Sequence, residues 1–168
     1  IGTVIADAAT FQPVDAQYYV LTPEFEIGGM YEKELFVESD PAPVVCSRQE
    51  ALSQLRQWFA GFGVTRLYAY NASFDRNHLP EFADFCWYDI IRIAAYRQHN
   101  PKIPCNADCY KTGRLKRNYG VEPMLRLLSA LTVTRPRPLS AIWLICKSLV
   151  SIQKAARSAF NLPSKKFR

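Results

Sequence analysis

Residues 129–168 of this 168-residue chain contain no aspartate or glutamate, although they hold 8 of its 21 lysines and arginines. The remaining 13 basic residues and all 15 acids lie in residues 1–128. The first stretch therefore balances at −2 and the second at +8, which together make the overall +6. The basic character belongs to the end of the chain and not to its body. Histidine is scarce, with only His78 and His99, and none follows His99. No apolar run approaches the roughly 18 residues of a membrane span, and Ala141-Ile142-Trp143-Leu144-Ile145-Cys146 falls far short. A membrane partner is not expected. The five cysteines, Cys46, Cys86, Cys105, Cys109 and Cys146, are odd in number and lack paired-motif spacing. That pattern suits free thiols in a reducing, cytoplasmic setting. Cys105-x-x-x-Cys109 is half of a zinc pattern, with His99 the one nearby candidate to extend it.

What is present is the makeup of a single globular domain, with 49% hydrophobic and 21% charged residues. Ile1-Gly2-Thr3-Val4-Ile5-Ala6 is β-branched and apolar from its first residue and reads as an internal strand, with Asp7-Ala8-Ala9-Thr10 as a turn. Ala16-Gln17-Tyr18-Tyr19-Val20-Leu21 reads as a second strand, antiparallel to the first. Gly28-Gly29-Met30 predicts a turn, Leu35-Phe36-Val37 a short strand, and Pro41-Ala42-Pro43 a break. Ser47-x-x-Glu50 is a capping-box pattern ahead of Leu52, Leu55, Trp58 and Phe59, with Gly61 and Gly63 behind, so a helix is expected there. A strand over residues 66–70 follows, then a polar turn and a helical passage from His78. Residues 87–96 read either as a strand entering a helix or as one helix. Asn100-Pro101 and Ile103-Pro104 mark a loop, and helices are predicted over 110–117, 122–128 and 139–152.

The chemistry-bearing stretch is Leu67-Tyr68-Ala69-Tyr70-Asn71-Ala72-Ser73-Phe74-Asp75, a short apolar strand that runs into a turn with one carboxylate. Asn-x-x-Phe-Asp in that setting resembles the second motif of the DEDD-type 3′–5′ exonucleases, the proofreading-exonuclease branch of the ribonuclease-H-like fold. The resemblance covers about residues 1–128. Ile1–Asp7 looks like that family's second strand, and Trp87-Tyr88-Asp89-Ile90-Ile91-Arg92-Ile93-Ala94 looks like the segment after the motif, where an Asp begins a helix. Tyr119-Gly120-Val121-Glu122-Pro123-Met124-Leu125-Arg126-Leu127-Leu128 looks like the helix that leads into the last motif. The resemblance implies an α/β fold, a ribonuclease-H-like mixed sheet flanked by helices, here missing its first strand. It implies metal-dependent phosphodiester hydrolysis at a DNA or RNA 3′ end. Asp75 would be the catalytic metal ligand for Mg²⁺ or Mn²⁺, Asn71 would brace the turn, Phe74 would pack beneath it, and Asn71, Phe74 and His78 would face substrate. Two hard cations about 3.5–4 Å apart serve such chemistry, and they want several oxygen ligands.

Three of the family's four carboxylates have no counterpart, because no Asp-x-Glu occurs and no acid follows Glu122. The expectation is therefore an exonuclease-family domain over 1–128 that is incomplete at its start and has little activity. Residues 129–168 form a basic tail, read as a nucleic-acid arm, as a helix packed on the domain, or as a foreign or out-of-frame segment. Two further functions stay open: a non-catalytic nucleic-acid-binding module that uses the tail, and a small α/β domain whose Asn/Asp turn serves another ligand. Each residue also has a structural reading. A carboxylate in a first helical turn favours the macrodipole, so Asp75 could be that alone. Asn71 could be a plain turn residue, His78 a helix-surface residue and Asp89 an N-cap. Arg114, Lys116 and Arg117 could touch phosphate or line a solvated face, and Tyr18, Tyr19, Trp58 and Trp87 read as core aromatics.

Overall fold

The structure is a computed structural model that describes residues 1–28, 35–36 and 41–129. The chain forms two compact units, divided between Tyr88 and Asp89. The first is mixed α/β. Strand β1 (Gly2–Ala6) pairs antiparallel with β2 (Pro13–Thr22), in a register running from Gly2 opposite Tyr18 to Ile5 opposite Asp15. The turn between them is closed by one side chain. Asp7 Oδ1 accepts from the amides of Ala9 and Thr10 at 3.1 and 2.7 Å and from the Thr10 hydroxyl at 2.7 Å. A short helix, α1 (Glu24–Gly28), follows β2, and strand β3 (Val44–Ser47) returns parallel to β2.

Strand β3 is not anticipated from the sequence. Its four residues stand directly after Pro41-Ala42-Pro43, and its last residue is also the helix cap, so the stronger helix signal masks it. The strand expected at 35–37 is absent from its described part, since Leu35 is helical and Phe36 lies in a turn. Gly29, Met30 and Val37 lie outside the described residues, as does the helix expected over 139–152.

Helix α2 (Arg48–Gly61) is the centre of this unit, and its capping box forms as the sequence predicts. The Ser47 hydroxyl accepts from the Glu50 amide at 3.3 Å while the Glu50 carboxylate accepts from the Ser47 amide at 2.9 Å. Two otherwise orphaned helix-end donors are satisfied this way. Ala51, Leu52, Leu55 and Phe59 form the buried stripe. They meet Ile5 of β1, Tyr19 of β2 and Phe82, with Cys46, Leu67 and Trp87 packed around them. Phe59, Phe82 and Phe85 form an aromatic triangle with ring centroids 5.6–5.7 Å apart. At the helix end Gly63, at φ +64°, donates to the Ala60 carbonyl at 3.1 Å, a conformation that suits glycine.

The remaining strands form a second, separate sheet. Strand β4 (Arg66–Ala69) pairs with β5 (Cys86–Asp89), and between them lie helix α3 (Ala72–His78) and a 3₁₀ turn (Pro80–Phe82). Side chains of both sheets enter the one core against α2. Two salt bridges tie α2 to the segment after α3: Arg48 to Glu81 and Arg56 to Asp84, each at 2.9 Å. Both are solvent-exposed, so each is a modest contribution.

In the second unit Asp89 caps helix α4 (Ile90–Ala94), its Oδ1 accepting from the Ile91 amide at 3.1 Å. Residues 87–96 thus follow the strand-into-helix alternative, and Asp89 follows its N-cap reading. Asn100 is fully buried and fully used, donating to the Ala94 carbonyl at 2.6 Å and accepting from the Lys102 amide at 3.0 Å. The helix expected over 110–117 does not form. Tyr110 and Gly113 close a turn instead, flanked by isolated bridges of Tyr96 with Arg114 and Cys109 with Leu115. Lys111-Thr112-Gly113-Arg114 has no apolar stripe to bury, and Gly113 takes φ +84°, where a side chain is strained. Helix α5 (Val121–Ser129) does form, burying Met124, Leu125 and Leu128. No described helix is long and apolar enough to cross a membrane.

Candidate functional site

The Asn71–Asp75 turn takes the strand-turn-helix form that its pattern predicts. Strand β4 ends at Ala69, and Asn71 adopts the left-handed conformation at φ +67° and ψ 54° to redirect the chain into α3. Asparagine tolerates that conformation better than most residues. Its role in the turn is made by the backbone. The Asn71 side chain does not cap the helix; its Oδ1 accepts from the Ser73 hydroxyl at 3.3 Å. The Asn71 carbonyl accepts from the Phe74 amide at 2.9 Å, which starts the first turn.

Asp75 stands in that first turn, half-buried, and its own carbonyl accepts from the Leu79 amide at 2.8 Å. Phe74 does not pack beneath the turn as expected. It is 59% exposed and lies on the His78 ring, with centroids 4.2 Å apart. Helical geometry explains this. Ala72 takes the inward position, and two residues further the chain has turned about 200° to the outside. His78 is exposed, and its Nδ1 lies 2.8 Å from the Phe74 carbonyl. A carbonyl can only accept, so Nδ1 donates in this contact. The His78 carbonyl in turn accepts from Arg48 at 2.6 Å, fastening the end of α3 to α2. Asn71, Phe74, Asp75 and His78 thus share one seven-residue helix and its cap, three of them exposed and the carboxylate half-buried.

This donor set does not by itself fit a pair of divalent cations. Among the described residues, no three His, Cys, Asp or Glu side chains gather into a group that could hold a metal ion. On the outer face of the small sheet, Tyr68 and Tyr88 stack with centroids 5.1 Å apart and planes at 20°. Phe11, from the turn after β1, meets Tyr68 edge-on at 6.3 Å. Leu67 and Trp87, on the alternate positions, enter the core.

The other candidates are dispersed. Tyr19 is buried, while Tyr18, Trp58 and Trp87 are half-buried, each with its polar tip engaged. Cys46, Cys86, Cys105 and Cys109 are free thiols. Cys109 Sγ accepts from Arg97 at 3.3 Å.

One arrangement escapes the sequence reading. The Arg114 guanidinium lies between two tyrosine rings, 5.0 Å from the Tyr110 centroid and 5.1 Å from that of Tyr119. The signal was Tyr-x₃-Arg-x₄-Tyr around a glycine; a helix over 110–117 would set Tyr110 and Arg114 one turn apart but leave Tyr119 in the break beyond it. The chain matches no protein-family model, no curated protein and no solved structure.

Proposed function

We propose that this chain is an exonuclease-family domain of ribonuclease-H-like fold, built for metal-dependent hydrolysis of a DNA or RNA 3′ end in a reducing, cytoplasmic setting. Asp75 is its one recognisable metal ligand for Mg²⁺ or Mn²⁺, with His78 and Phe74 on the substrate side. The observation that carries the reading is the division of this unit's strands into two sheets. β1 and β4 each have, among the described residues, one paired and one unpaired edge, in two different sheets. Both contribute to the same core on α2, and the turn after β1 touches β4 through Phe11 and Tyr68. A further strand between those edges would join the two sheets and could bring its carboxylates beside Asp75. With a single carboxylate the cation pair is underligated, and these 168 residues alone hydrolyse little.

The test is a 3′- or 5′-labelled single-stranded oligonucleotide incubated with Mn²⁺. At most trace shortening is expected, from the 3′ end and lost in Asp75→Ala. Shortening from the 5′ end, or shortening indifferent to Asp75→Ala, overturns the assignment. Rapid turnover overturns the claim that the site is incomplete.

Charge favours a second reading, a non-catalytic nucleic-acid-binding module that includes the basic tail. From residue 89 onward the chain holds 16 lysines and arginines against 3 acids. Salt-dependent binding that disappears on deleting residues 129–168 would select this reading and place the contacts in the tail.

A further inference from the structure

The Tyr110–Arg114–Tyr119 cluster stands outside the Asp75 site, and its surroundings have a definite chemistry. The turn that carries it is rigidly held. The Tyr110 amide donates to the Arg114 carbonyl and the Gly113 amide to the Tyr110 carbonyl, both at 2.8 Å. From the flank, the Gln98 amide nitrogen donates to the Thr112 carbonyl at 2.9 Å and Arg97 donates to the Ala107 carbonyl. The tip therefore presents Lys111, and the bend after it presents Arg117, both exposed.

A clamp that merely holds the loop would account for Arg114 between the rings. It would not account for the rest. Tyr110 is 47% exposed and Tyr119 36% exposed, so both rings offer surface to solvent beyond the guanidinium. Residues 89–129 carry 8 lysines and arginines against 3 acids. Those acids are committed elsewhere: Asp108 to Lys116 at 2.8 Å, Glu122 to Arg126 at 2.6 Å, and Asp89 to the cap of α4. Fixed aromatic faces interleaved with uncompensated cations suit one polymer, whose repeating unit is a flat base beside a phosphate.

We propose that Tyr110, Arg114 and Tyr119, with Lys111 and Arg117, form a binding surface for single-stranded nucleic acid. Tyr110 stacks a base, Arg114 stiffens both rings, and Lys111 and Arg117 pair with flanking phosphates. The surface depends neither on Asp75 nor on the basic tail.

The experiment uses the full chain in EDTA, which removes hydrolysis and any Asp75 cation from the readout. Binding of fluorescein-labelled oligo-dT and oligo-U is followed by anisotropy at several salt concentrations. A single-stranded site loses about 0.7 in the slope of log K against log salt for each phosphate contact removed, so Lys111→Ala with Arg117→Ala should flatten it by about 1.4. Tyr110→Ala should weaken binding about 5- to 150-fold, the measured range for one base stacked on an aromatic ring, and Tyr110→Phe should preserve it. Lys111 is at an exposed loop tip, so its replacement tests the surface even if Tyr110→Ala disturbs the turn. An unchanged salt slope in the double variant overturns the proposal and assigns the charge contacts to the tail. Equal affinity for a duplex, or for polyglutamate, overturns it as well, because neither offers an unstacked base.

Discussion

The two units of this chain are opposites in charge and in how their residues are held. Ile1–Tyr88 carries 5 basic residues against 12 acids, a balance of −7, while Asp89–Arg168 carries 16 against 3, a balance of +13. The first unit is organised by a capped fourteen-residue helix with two sheets in one core. The described part of the second is loop-rich, fixed by a buried asparagine, a glycine turn and one nine-residue helix. Acidic surface repels phosphate and holds hard cations, whereas basic surface does the reverse. The candidate metal corner therefore falls in the acidic unit and the candidate single-strand surface in the basic one.

The largest effects that could break this division are in the cores. Leu55 of α2 and Leu125 of α5 are both fully buried. Leu55→Ala and Leu125→Ala should each cost about 2–5 kcal/mol. Hydrogen exchange should place the lost protection in the first unit for Leu55→Ala and in the second for Leu125→Ala. Loss spread across both units by either change would mean that they unfold as one.

A smaller change sharpens the picture of α2. Ser47→Ala removes the side-chain half of the capping box and should cost about 1 kcal/mol, with fraying read at the amides of Glu50 and Ala51. An unaltered denaturation midpoint would show that the cap is redundant.

The smallest effect is with pH. In the first unit the Thr10 hydroxyl lowers the pKa of Asp7, the Ser47 hydroxyl that of Glu50, Arg48 that of Glu81 and Arg56 that of Asp84. A carboxyl depressed in the folded state stabilises above its unfolded pKa, here 3.8 for Asp and 4.5 for Glu, and loses that contribution as pH falls through the lower native value. Acid should therefore loosen the first unit below about pH 4.5, and Glu81→Gln should shift the acid midpoint slightly. Acid loosening confined to the second unit would contradict this.

How much of this was legible in the sequence depended on how local the cause was. Helix α2 was legible because Ser47, Glu50, the Leu52–Leu55–Phe59 spacing and the closing glycines all point the same way within seventeen residues. The β1–β2 hairpin was legible from β-branched residues and a capable Asp7 turn. Strand β3 was not, because four residues carry too little periodicity and its pairing partner β2 lies some twenty-five residues earlier. The turn at Asn71 was legible in kind, but the outward placement of Phe74 was not. That depends on Ala72 taking the buried position of a short helix, which composition does not reveal. The tyrosine–arginine cluster was hidden for a related reason. Gly113 decides between helix and turn there through its backbone, and Arg114 and Tyr119 meet only after that choice.

The most direct test of the central claim is where Mn²⁺ first broadens the backbone resonances of the isotopically labelled chain. A carboxylate held at the corner of a former cation site predicts early broadening centred on residues 71–78, and its disappearance in Asp75→Asn. Broadening shared evenly among the acids of the first unit, and unchanged by Asp75→Asn, would mean that Asp75 only steadies the start of its helix.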